Sequence, residues 1–364
     1  MRIGIYISPS HAVPPNENNI LAPWVLVAEL ANGLVAKKHA VTLFAAKNSK
    51  TNAKLIHGGI EPTVLRRHEY ADPDAYRSFV IAEELALMRE VIVQAKAGKL
   101  DIVHIHQPVE RLYPALLAMP ANVPVVITFH DPITPQRFPA IEKLMELGNI
   151  HLVSLSQSQQ RGVPFPFAGI VPNGVDTKLF IPDKHVPMHK KPLLIAGRIV
   201  EQKGFRDAID AAKLSGIRLL IVGQEYEQKE AKEYFETQVN PHIDGKTVLW
   251  ESVVKQEHLI GHYQTAQALL FPIGWDEPFG LVMIEAMACG TPVIAYNRGS
   301  VSEIIVDGKT GFVVDPEEGV EGLVAAIKKI GNIDRVACRR HVEKHFSLKA
   351  MIDGYEKVYS ALLG

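Results

Sequence analysis

Apolar and polar residues are arranged along the chain in two kinds of segment. Short apolar blocks rich in β-branched residues predict buried strands, and apolar residues three or four positions apart predict amphipathic helices. In the first half, strands are predicted at residues 2–7, 40–45, 101–106, 124–128, 151–154 and 168–172. Helices are predicted between them at residues 20–37, 74–97, 108–118 and 138–146. This alternation is typical of a parallel sheet covered by helices on both faces.

The same pattern restarts in the second half of the chain. Strands are predicted at residues 192–196, 218–222, 247–250, 268–271, 292–295 and 311–314. Helices are predicted at residues 205–215, 225–239, 255–264, 281–288 and 320–329. The segment 180–192 is polar and rich in proline, which indicates a linker. We therefore predict an α/β protein with two doubly wound, Rossmann-like domains at residues 1–182 and 183–344, and a terminal helix within residues 345–364.

The most informative stretch for function is residues 276–303. Glu277 precedes a Pro-Phe-Gly turn, and Glu285 follows eight positions later inside the apolar helix predicted at residues 281–288. At 3.6 residues per turn, Glu277 lies at or just before the helix start and Glu285 about two turns into the helix. A helix N-terminus offers unpaired N–H groups and a partial positive charge. The stretch therefore predicts a phosphate-binding site flanked by two carboxylates.

A second candidate site follows the strand at residues 192–196. It is the loop from Gly197 to Gly204, which contains Arg198 and Lys203. Arg198 can hold two phosphate oxygens with its planar guanidinium, while Lys203 acts as a point charge. The glycines allow the backbone to approach a ligand closely. The alternative is an ordinary strand-to-helix loop with solvated charges; the carboxylate stretch in the same half favours a diphosphate clamp.

These stretches resemble the signature of glycosyltransferase family 4. The resemblance rests on EPFGLVMIEAMACGTPVIA at residues 277–295, on GRIVEQKG at residues 197–204 and on NGVD at residues 173–176. Members are retaining enzymes that use nucleotide sugars and have the GT-B fold. The resemblance therefore implies two domains facing a central cleft, with the first as acceptor domain, the second as donor domain, and the C-terminal helix crossing back to the first.

The resemblance also implies roles for individual residues. Glu277, His130, Arg198 and Lys203 would be catalytic, with Glu277 and His130 near the transferred sugar and the two cations on the diphosphate. The donor would further be bound by Gly197, Gly223, Val254, Phe279, Gly280, Leu281 and Glu285, of which Glu285 would hold the ribose hydroxyls. Alternatively, Glu285 is a helix glutamate whose carboxylate pairs with a neighbouring basic residue, and Gly223 and Val254 are loop residues without a role in binding.

The acceptor side departs from the family pattern. Relatives have paired glycines after the first strand, whereas this chain has Asn18 and Asn19 in that region, and asparagine tolerates positive φ better than other non-glycine residues. With Asn173, these residues are the candidates for the acceptor side.

Two further histidines precede His130. His104 and His106 alternate along a predicted strand and should point to one face of the sheet. We expect His104 to pack and bond locally, and His106, at the carboxyl end of the strand, to lie nearer the cleft. These histidines are not accompanied in the sequence by other metal-binding residues at a suitable spacing, so we do not expect a metal site here.

Composition narrows the class of protein without identifying a substrate. Hydrophobic residues make up 47% and charged residues 22%, as in globular proteins, and the formal charge of −1 gives no reason to expect a nucleic-acid partner. Residues 1–170 carry 16 basic and 14 acidic side chains, too even a balance to indicate a membrane-binding face. Two cysteines indicate no disulfide framework. With no signal peptide or spanning segment apparent, we expect a cytoplasmic protein and leave peripheral membrane contact open.

The combined expectation is a hexosyltransferase. The donor would be a nucleotide-diphosphate sugar, of UDP-glucose type first and GDP-mannose type second, and the acceptor a carbohydrate, lipid or small molecule. Transfer would be a front-face substitution without a cofactor or divalent metal. The alternatives are a GT-B sugar-nucleotide epimerase, a phosphorylase-like enzyme, and a catalytically silent nucleotide-sugar-binding protein, which donor hydrolysis would separate from an enzyme.

Overall fold

The computed structural model describes residues 1–15, 21–106, 110–183, 191–225, 228–252 and 255–364. The predicted ligand residues Asn18, Asn19 and Val254 lie outside these ranges. The chain forms two compact units: unit 1 comprises Met1–Asn173 with Met351–Gly364, and unit 2 comprises Gly174–Ala350.

Both units consist of parallel strands and helices. The strands are β1 Arg2–Tyr6, β2 Ala40–Phe44, β3 Lys54–Ile56, β4 Ile102–Ile105, β5 Val125–Thr128, β6 Ile150–Ser154, β7 Phe167–Ile170, β8 Leu193–Ala196, β9 Leu219–Val222, β10 Val248–Glu251, β11 Ala268–Phe271, β12 Val293–Tyr296 and β13 Gly311–Val314. The helices are α1 Ala22–Ala36, α2 Pro73–Lys96, α3 Tyr113–Leu116, α4 Phe138–Met145, α5 Phe205–Ser215, α6 Lys229–Tyr234, α7 Gln256–Thr265, α8 Leu281–Ala288, α9 Val301–Ile304, α10 Gly319–Lys329, α11 Arg335–His345 and α12 Leu348–Leu363.

The sheet of unit 1 has seven strands in the order β3-β2-β1-β4-β5-β6-β7. Its central strands β4 and β5 are buried along their whole length, as expected for a parallel sheet covered by helices on both faces. On one face, Val103, Ile105 and Ile127 pack in a buried cluster with Leu87 and Val91 of α2. On the opposite face lies α12, so that the alternate residues of β4 and β5 point toward the C-terminal helix.

Helix α12 is the element that makes unit 1 discontinuous in sequence. From Met351 onward the chain belongs to unit 1, which confirms the predicted return of the C-terminal helix to the first domain. Lys37 Nζ lies 2.6 Å from an Asp353 carboxylate oxygen, and His39 Nε2 lies 2.7 Å from Glu356 Oε1. The apolar side of α12 is buried, including Ile352, Tyr355 and Tyr359.

The sheet of unit 2 has six parallel strands in the order β10-β9-β8-β11-β12-β13. Strand β8 lies between β9 and β11, with Leu194 paired to Leu220 on one side and to Leu269 on the other. The carboxyl ends of β8 and β11 lead into the two loops that the sequence marked as candidate sites. Ligands of doubly wound sheets bind at this edge.

Most predicted elements are present, and the differences have local causes. The helix predicted at residues 108–118 is, within the described range, a short turn at Glu110–Leu112 followed by the four-residue α3. The helix predicted from residue 225 begins at Lys229, and Glu225 instead pairs with Ile199 in an isolated bridge. Strand β3 and helices α9 and α11 were not predicted from the sequence. Among the described helices, none combines the length and apolar character required to cross a membrane.

Candidate active site

The loop after β8 carries the predicted cations of unit 2. The Gly197 N–H donates to Val222 O at 3.0 Å and the Ile199 N–H to Gln224 O at 3.2 Å, so the loop follows the neighbouring strand β9. The close approach requires glycine at position 223, where a Cβ atom would lie 2.1 Å from Gly197 O. Arg198 is exposed at this edge.

Lys203 lies in a one-turn helix, Glu201–Lys203, that leads into α5. Its Nζ lies 2.6 Å from Glu277 Oε2, and both side chains are mostly covered, at 17% and 14% exposure. The Trp275 indole N–H donates to the same oxygen at 3.0 Å. Lys203 Nζ also lies 5.6 Å from the ring centroids of Phe271 and Trp275, within cation–π range. The structure thus brings a predicted clamp cation to the predicted sugar-side carboxylate.

The turn that bears Glu277 is held from beneath by a second polar loop. The Ser300 N–H donates to Glu277 O at 3.1 Å, and the Ser300 hydroxyl donates to Phe279 O at 2.6 Å. The Gly299 N–H donates to Asp276 Oδ1 at 3.0 Å. These bonds fix the backbone that precedes α8, so the position of Glu277 does not depend on its own side-chain contacts alone.

The N-terminus of α8 has the geometry of an anion site. Gly280 is its N-cap, with left-handed φ of 85°, and among the described residues no side chain caps the helix. Phe279 is buried and its ring meets that of Phe346 at 5.9 Å. The first N–H groups of a helix have no intrahelical acceptor and carry a partial positive charge, which suits a phosphate at Leu281.

Glu285 lies in the second turn of α8 and has its own partner. The Tyr263 hydroxyl donates to Glu285 Oε2 at 2.8 Å. Burial raises the pKa of Glu285 to about 6, and the hydrogen bond from Tyr263 opposes this rise. The partner is therefore a tyrosine hydroxyl rather than the basic side chain considered as an alternative.

In unit 1, the candidate residue His130 follows β5. It is half-buried, and its Nε2 lies 3.1 Å from His106 Nδ1. Burial lowers the pKa of His130 to about 4. His106 is itself buried, as is His104, and the two rings contact each other on one face of the sheet as the alternation predicts.

The remaining candidates are Gly223, Asn173, Asn18, Asn19 and Val254. Gly223 lies beside Trp250, whose indole N–H donates to Gly223 O at 3.0 Å. Asn173 is buried at the last position of the first segment of unit 1. Asn18, Asn19 and Val254 fall outside the described residues. Within the described ranges, no three His, Cys, Asp or Glu side chains are grouped to hold a metal ion.

Sequence reasoning missed the two aromatic partners of the carboxylates, Trp275 and Tyr263. Trp275 directly precedes the informative stretch, so its position two residues before Glu277 was the available signal. Tyr263 belongs to α7, twenty-two positions before Glu285, and sequence spacing gives no indication of this contact.

Family models match both halves of the chain. Residues 177–344 match the model described as glycosyl transferases group 1, and residues 24–179 match the model described as glycosyltransferase family 4. A D-inositol 3-phosphate glycosyltransferase of Arthrobacter sp. strain FB24 is 25% identical over 339 residues, which cover 82% of this chain and 79% of that relative.

Solved structures resemble the chain over nearly its whole length. Sucrose-phosphate synthase from Thermosynechococcus elongatus superimposes with a TM-score of 0.75 and 21% identity, covering 99% of this chain and 98% of the other. A HepE protein of Anabaena, solved in complex with UDP and glucose, gives a TM-score of 0.70 and 15% identity, covering 99% and 100% of the two chains. These likenesses confirm the predicted GT-B fold.

Proposed function

Because the chain belongs to glycosyltransferase family 4, and its second half matches the model of glycosyl transferases group 1, we propose that it is a retaining hexosyltransferase that uses a nucleotide-diphosphate sugar. The observation that carries the proposal is the contact between Lys203 and Glu277 beside the uncapped N-terminus of α8. A fixed cation and a helix N-terminus suit a diphosphate, and a carboxylate can accept hydrogen bonds from sugar hydroxyls. We assign Lys203 to the leaving group, Glu277 to the sugar and the N-terminus of α8 to the phosphate.

The diphosphate is the proposed ligand of the cations and the helix. Arg198 and Lys203 neutralise the charge that develops on the leaving phosphate, and the N–H groups of Phe279, Gly280 and Leu281 donate to its oxygens. Preorganised charges of this kind commonly supply the largest part of a rate enhancement. Gly197 gives the diphosphate room at the end of β8, and Gly223 and Val254 are proposed to lie near the base.

The sugar and the ribose are assigned to the two carboxylates. The contacts of Glu277 with Lys203 and Trp275 both fall on Oε2, so Oε1 can accept a hydrogen bond from a sugar hydroxyl. Glu285 is assigned to the ribose, whose adjacent hydroxyls suit a group that only accepts. His130 is proposed to contact a sugar hydroxyl, and Asn18, Asn19 and Asn173 to lie on the acceptor side.

Transfer is proposed to be a front-face substitution. The bond from the anomeric carbon to the diphosphate breaks, the acceptor hydroxyl attacks from the same face, and the departing phosphate oxygen takes the hydroxyl proton. Configuration is retained without an enzymic nucleophile of the glycosidase type. In this scheme Arg198 and Lys203 balance the phosphate charge, so we propose that no divalent metal is needed.

The donor is proposed to be UDP-glucose first and GDP-mannose second. The HepE structure with UDP and glucose makes the former the first to test. A thermal-shift panel with UDP, GDP, ADP and their glucose and mannose conjugates would identify the base, because a ligand at 100 times its Kd stabilises by about 2.7 kcal/mol. A shift restricted to one base supports the proposal and sets the donor for an acceptor screen. A panel without any shift would contradict it.

We predict that Arg198→Ala and Lys203→Ala each lower kcat/KM at least about tenfold, since loss of one group stabilising a developing anion costs about 2.7–4 kcal/mol. Lys203→Met is the sharper variant, because it keeps the stem between Phe271 and Trp275 and removes only the charge. Lys232→Ala, an exposed lysine of α6, is the control. Turnover near that of the unmodified chain in the Lys203 variants would exclude the clamp. If the unmodified chain itself binds the donor without any turnover, it is a silent binding protein.

A further inference from the structure

A buried hydrogen-bond network connects α12 to His130 within unit 1. Its members come from three elements: His104 on β4 with His106 just after it, Thr128 on β5 with His130 two residues later, and Tyr355 and Tyr359 on α12. All except His130 are at most 1% exposed. Such a polar cluster is costly to bury unless its hydrogen bonds are made, so its internal arrangement is well determined.

The distances define a continuous path. Tyr359 Oη lies 2.6 Å from His104 Nδ1, and His104 Nε2 lies 2.9 Å from Thr128 Oγ1. His106 Nε2 lies 3.1 Å from the same His104 Nδ1, and His106 Nδ1 lies 3.1 Å from His130 Nε2. The Tyr355 hydroxyl lies 3.2 Å from Thr128 Oγ1, off the path between Tyr359 and His130.

The shortest contact sets the direction of the path. A separation of 2.6 Å between Tyr359 and His104 is in the range of bonds donated by O–H groups and shorter than usual for bonds donated by N–H groups. The phenol hydroxyl is also a stronger acid than a neutral imidazole N–H. Tyr359 therefore donates to His104 Nδ1, and the proton of neutral His104 is on Nε2, from which it is donated to Thr128.

The remaining tautomers follow from this assignment. Because His104 Nδ1 carries no proton, the contact with His106 is a hydrogen bond only if His106 Nε2 is the donor. Neutral His106 then has a bare Nδ1, which accepts from the Nε2–H of His130. A neutral histidine carries one ring proton, so the Nδ1 of His130 is left as a hydrogen-bond acceptor.

The surroundings of the network keep all three rings neutral. Burial lowers the pKa of His104 and of His106 well below the usual value, and neighbouring histidines lower both further. The titratable groups that face one another here are the three histidines of β4 and β5 and the tyrosines of α12. Burial also raises the pKa of Tyr355 and of Tyr359, which keeps both phenols protonated.

We propose that Tyr359 is a positioning residue for the transfer site, which acts through His104 and His106 to hold His130 as the Nε2–H tautomer. This inference rests on the transferase function proposed above. In that function, the bare Nδ1 of His130 accepts a hydrogen bond from a hydroxyl group of the bound sugar. The C-terminal helix then fixes not only the fold of unit 1 but also the hydrogen-bonding character of a substrate-contacting side chain.

The first test reads the tautomer directly. Nitrogen-15 NMR of histidine-labelled protein, with His130 assigned through His130→Asn, should show Nε2 protonated and Nδ1 bare in the unmodified chain. Tyr359→Phe should convert His130 to a mixture of tautomers, whereas Tyr355→Phe, the matched loss of a hydroxyl on the same helix, should leave it unchanged. A protonated Nδ1 in the unmodified chain, or the same spectrum in Tyr359→Phe, would overturn the proposal.

The second test uses the two nitrogens of His106 separately. In His106→Asn the side-chain amide occupies the Nδ1 position and still contacts His130, but the link to His104 is broken. In His106→Gln the amide reaches the Nε2 position, and the contact with His130 is lost. We expect both variants to lose about threefold to tenfold in kcat, the effect of one hydrogen bond.

The pH profile separates positioning from a merely structural role. Because burial lowers the pKa of His130, the acid limb of kcat should stay low in both variants. A shift of the acid limb toward the ordinary histidine pKa of about 6.5 in either variant would show that the substitution has opened the buried cluster, and would contradict a positioning role. The NMR result does not depend on turnover, so an inactive protein with the expected tautomer would reject the transferase function and leave the network assignment intact.

Discussion

At the scale of single residues, Glu285 is a site residue whose charge should respond to pH near neutrality. Burial in the second turn of α8 raises its pKa to about 6, although Tyr263 donates a hydrogen bond to it. The proposed ribose contact needs the ionised form, which only accepts hydrogen bonds. His130, with its pKa lowered to about 4, stays neutral over the same range.

We therefore predict that nucleotide affinity weakens as the pH falls below about 6. Each pH unit below about 6 should raise the Kd of the preferred nucleotide up to about tenfold, because one proton must be displaced from Glu285 on binding. Titration calorimetry at pH values from about 7.5 down to about 5 measures this change in Kd. Glu285→Gln should bind more weakly at pH 7.5 and should show a flat profile; the unmodified slope in that variant would exclude Glu285 as its source.

The same shift has a consequence for stability with the opposite sign from most carboxylates. The folded state binds the Glu285 proton more tightly than the unfolded state, whose pKa is near 4.5. Stability from this group is therefore greatest below the unfolded value and is lost as pH rises through about 6. Without ligand, Glu285→Gln should be more stable than the unmodified protein at neutral pH, by about 1–2 kcal/mol.

At the scale of elements, α5 shows how backbone geometry fixes the clamp loop. Glycines flank both ends of this helix in the left-handed conformation, Gly204 with φ of 70° and Gly216 with φ of 66°. A Cβ at position 204 would lie 1.8 Å from Pro272 O, whereas at position 216 it would meet nothing within 4 Å. The two glycines thus share the left-handed conformation but differ in the space available to a side chain.

This difference predicts unequal effects of the same substitution. Gly216→Ala should cost about 1–2 kcal/mol for the left-handed backbone. Gly204→Ala should cost about 3 kcal/mol or more, because the clash with the loop after β11 is added to the same backbone term. Chemical denaturation of both variants tests this; equal losses would mean that Gly204 is required for conformation alone.

The elements that the sequence predicts well are those with strong local signals. Helices α5 and α8 have the predicted bounds, since glycines limit α5 and Gly280 with the Cys-Gly-Thr-Pro turn limits α8. Strand β3 was missed because it is a three-residue edge strand that is only partly buried. Helix α11 was missed because it is largely polar, with Cys338 and Val342 as its buried residues.

The same distinction between local and non-local signals applies to the candidate site. Motif residues such as Lys203 and Glu277 could be identified because their spacing is local, but their contact across 74 positions depends on how β8 and β11 pair. The partners Trp275 and Tyr263 are set by packing. Alternation predicted a shared face for His104 and His106, but it could not indicate that α12 supplies the tyrosines beneath them.

At the scale of the whole molecule, two compact units imply two separable responses to perturbation. The proposed nucleotide site is built from residues of unit 2, whereas α12 packs in unit 1. A ligand stabilises only the unit that binds it in the folded state. Trp24 lies in unit 1 and Trp250 and Trp275 lie in unit 2, so a Trp24→Phe background makes fluorescence report on unit 2.

We predict that nucleotide and core substitutions act on different transitions. Ile352→Ala, at a position on α12 that is 8% exposed, should destabilise unit 1 by about 2–5 kcal/mol and leave the unit 2 transition in place. Leu363→Ala, at a position on the same helix that is 38% exposed, should change stability by less than about 0.5 kcal/mol. The preferred nucleotide should move only the unit 2 transition. A single transition moved by both changes would show that the units unfold together.

The long separation between His104 and Tyr359 also orders events during synthesis. These partners are 255 positions apart, and all of unit 2 is translated between them. At about 5–20 residues per second, the histidines leave the ribosome roughly 10–50 s before the tyrosine that orients them. A nascent chain can therefore complete the unit that carries the proposed nucleotide site while the ring proton of His130 is still unassigned. Competence for the proposed transfer therefore depends on the synthesis of α12, which comes later than that of the unit carrying the proposed donor site.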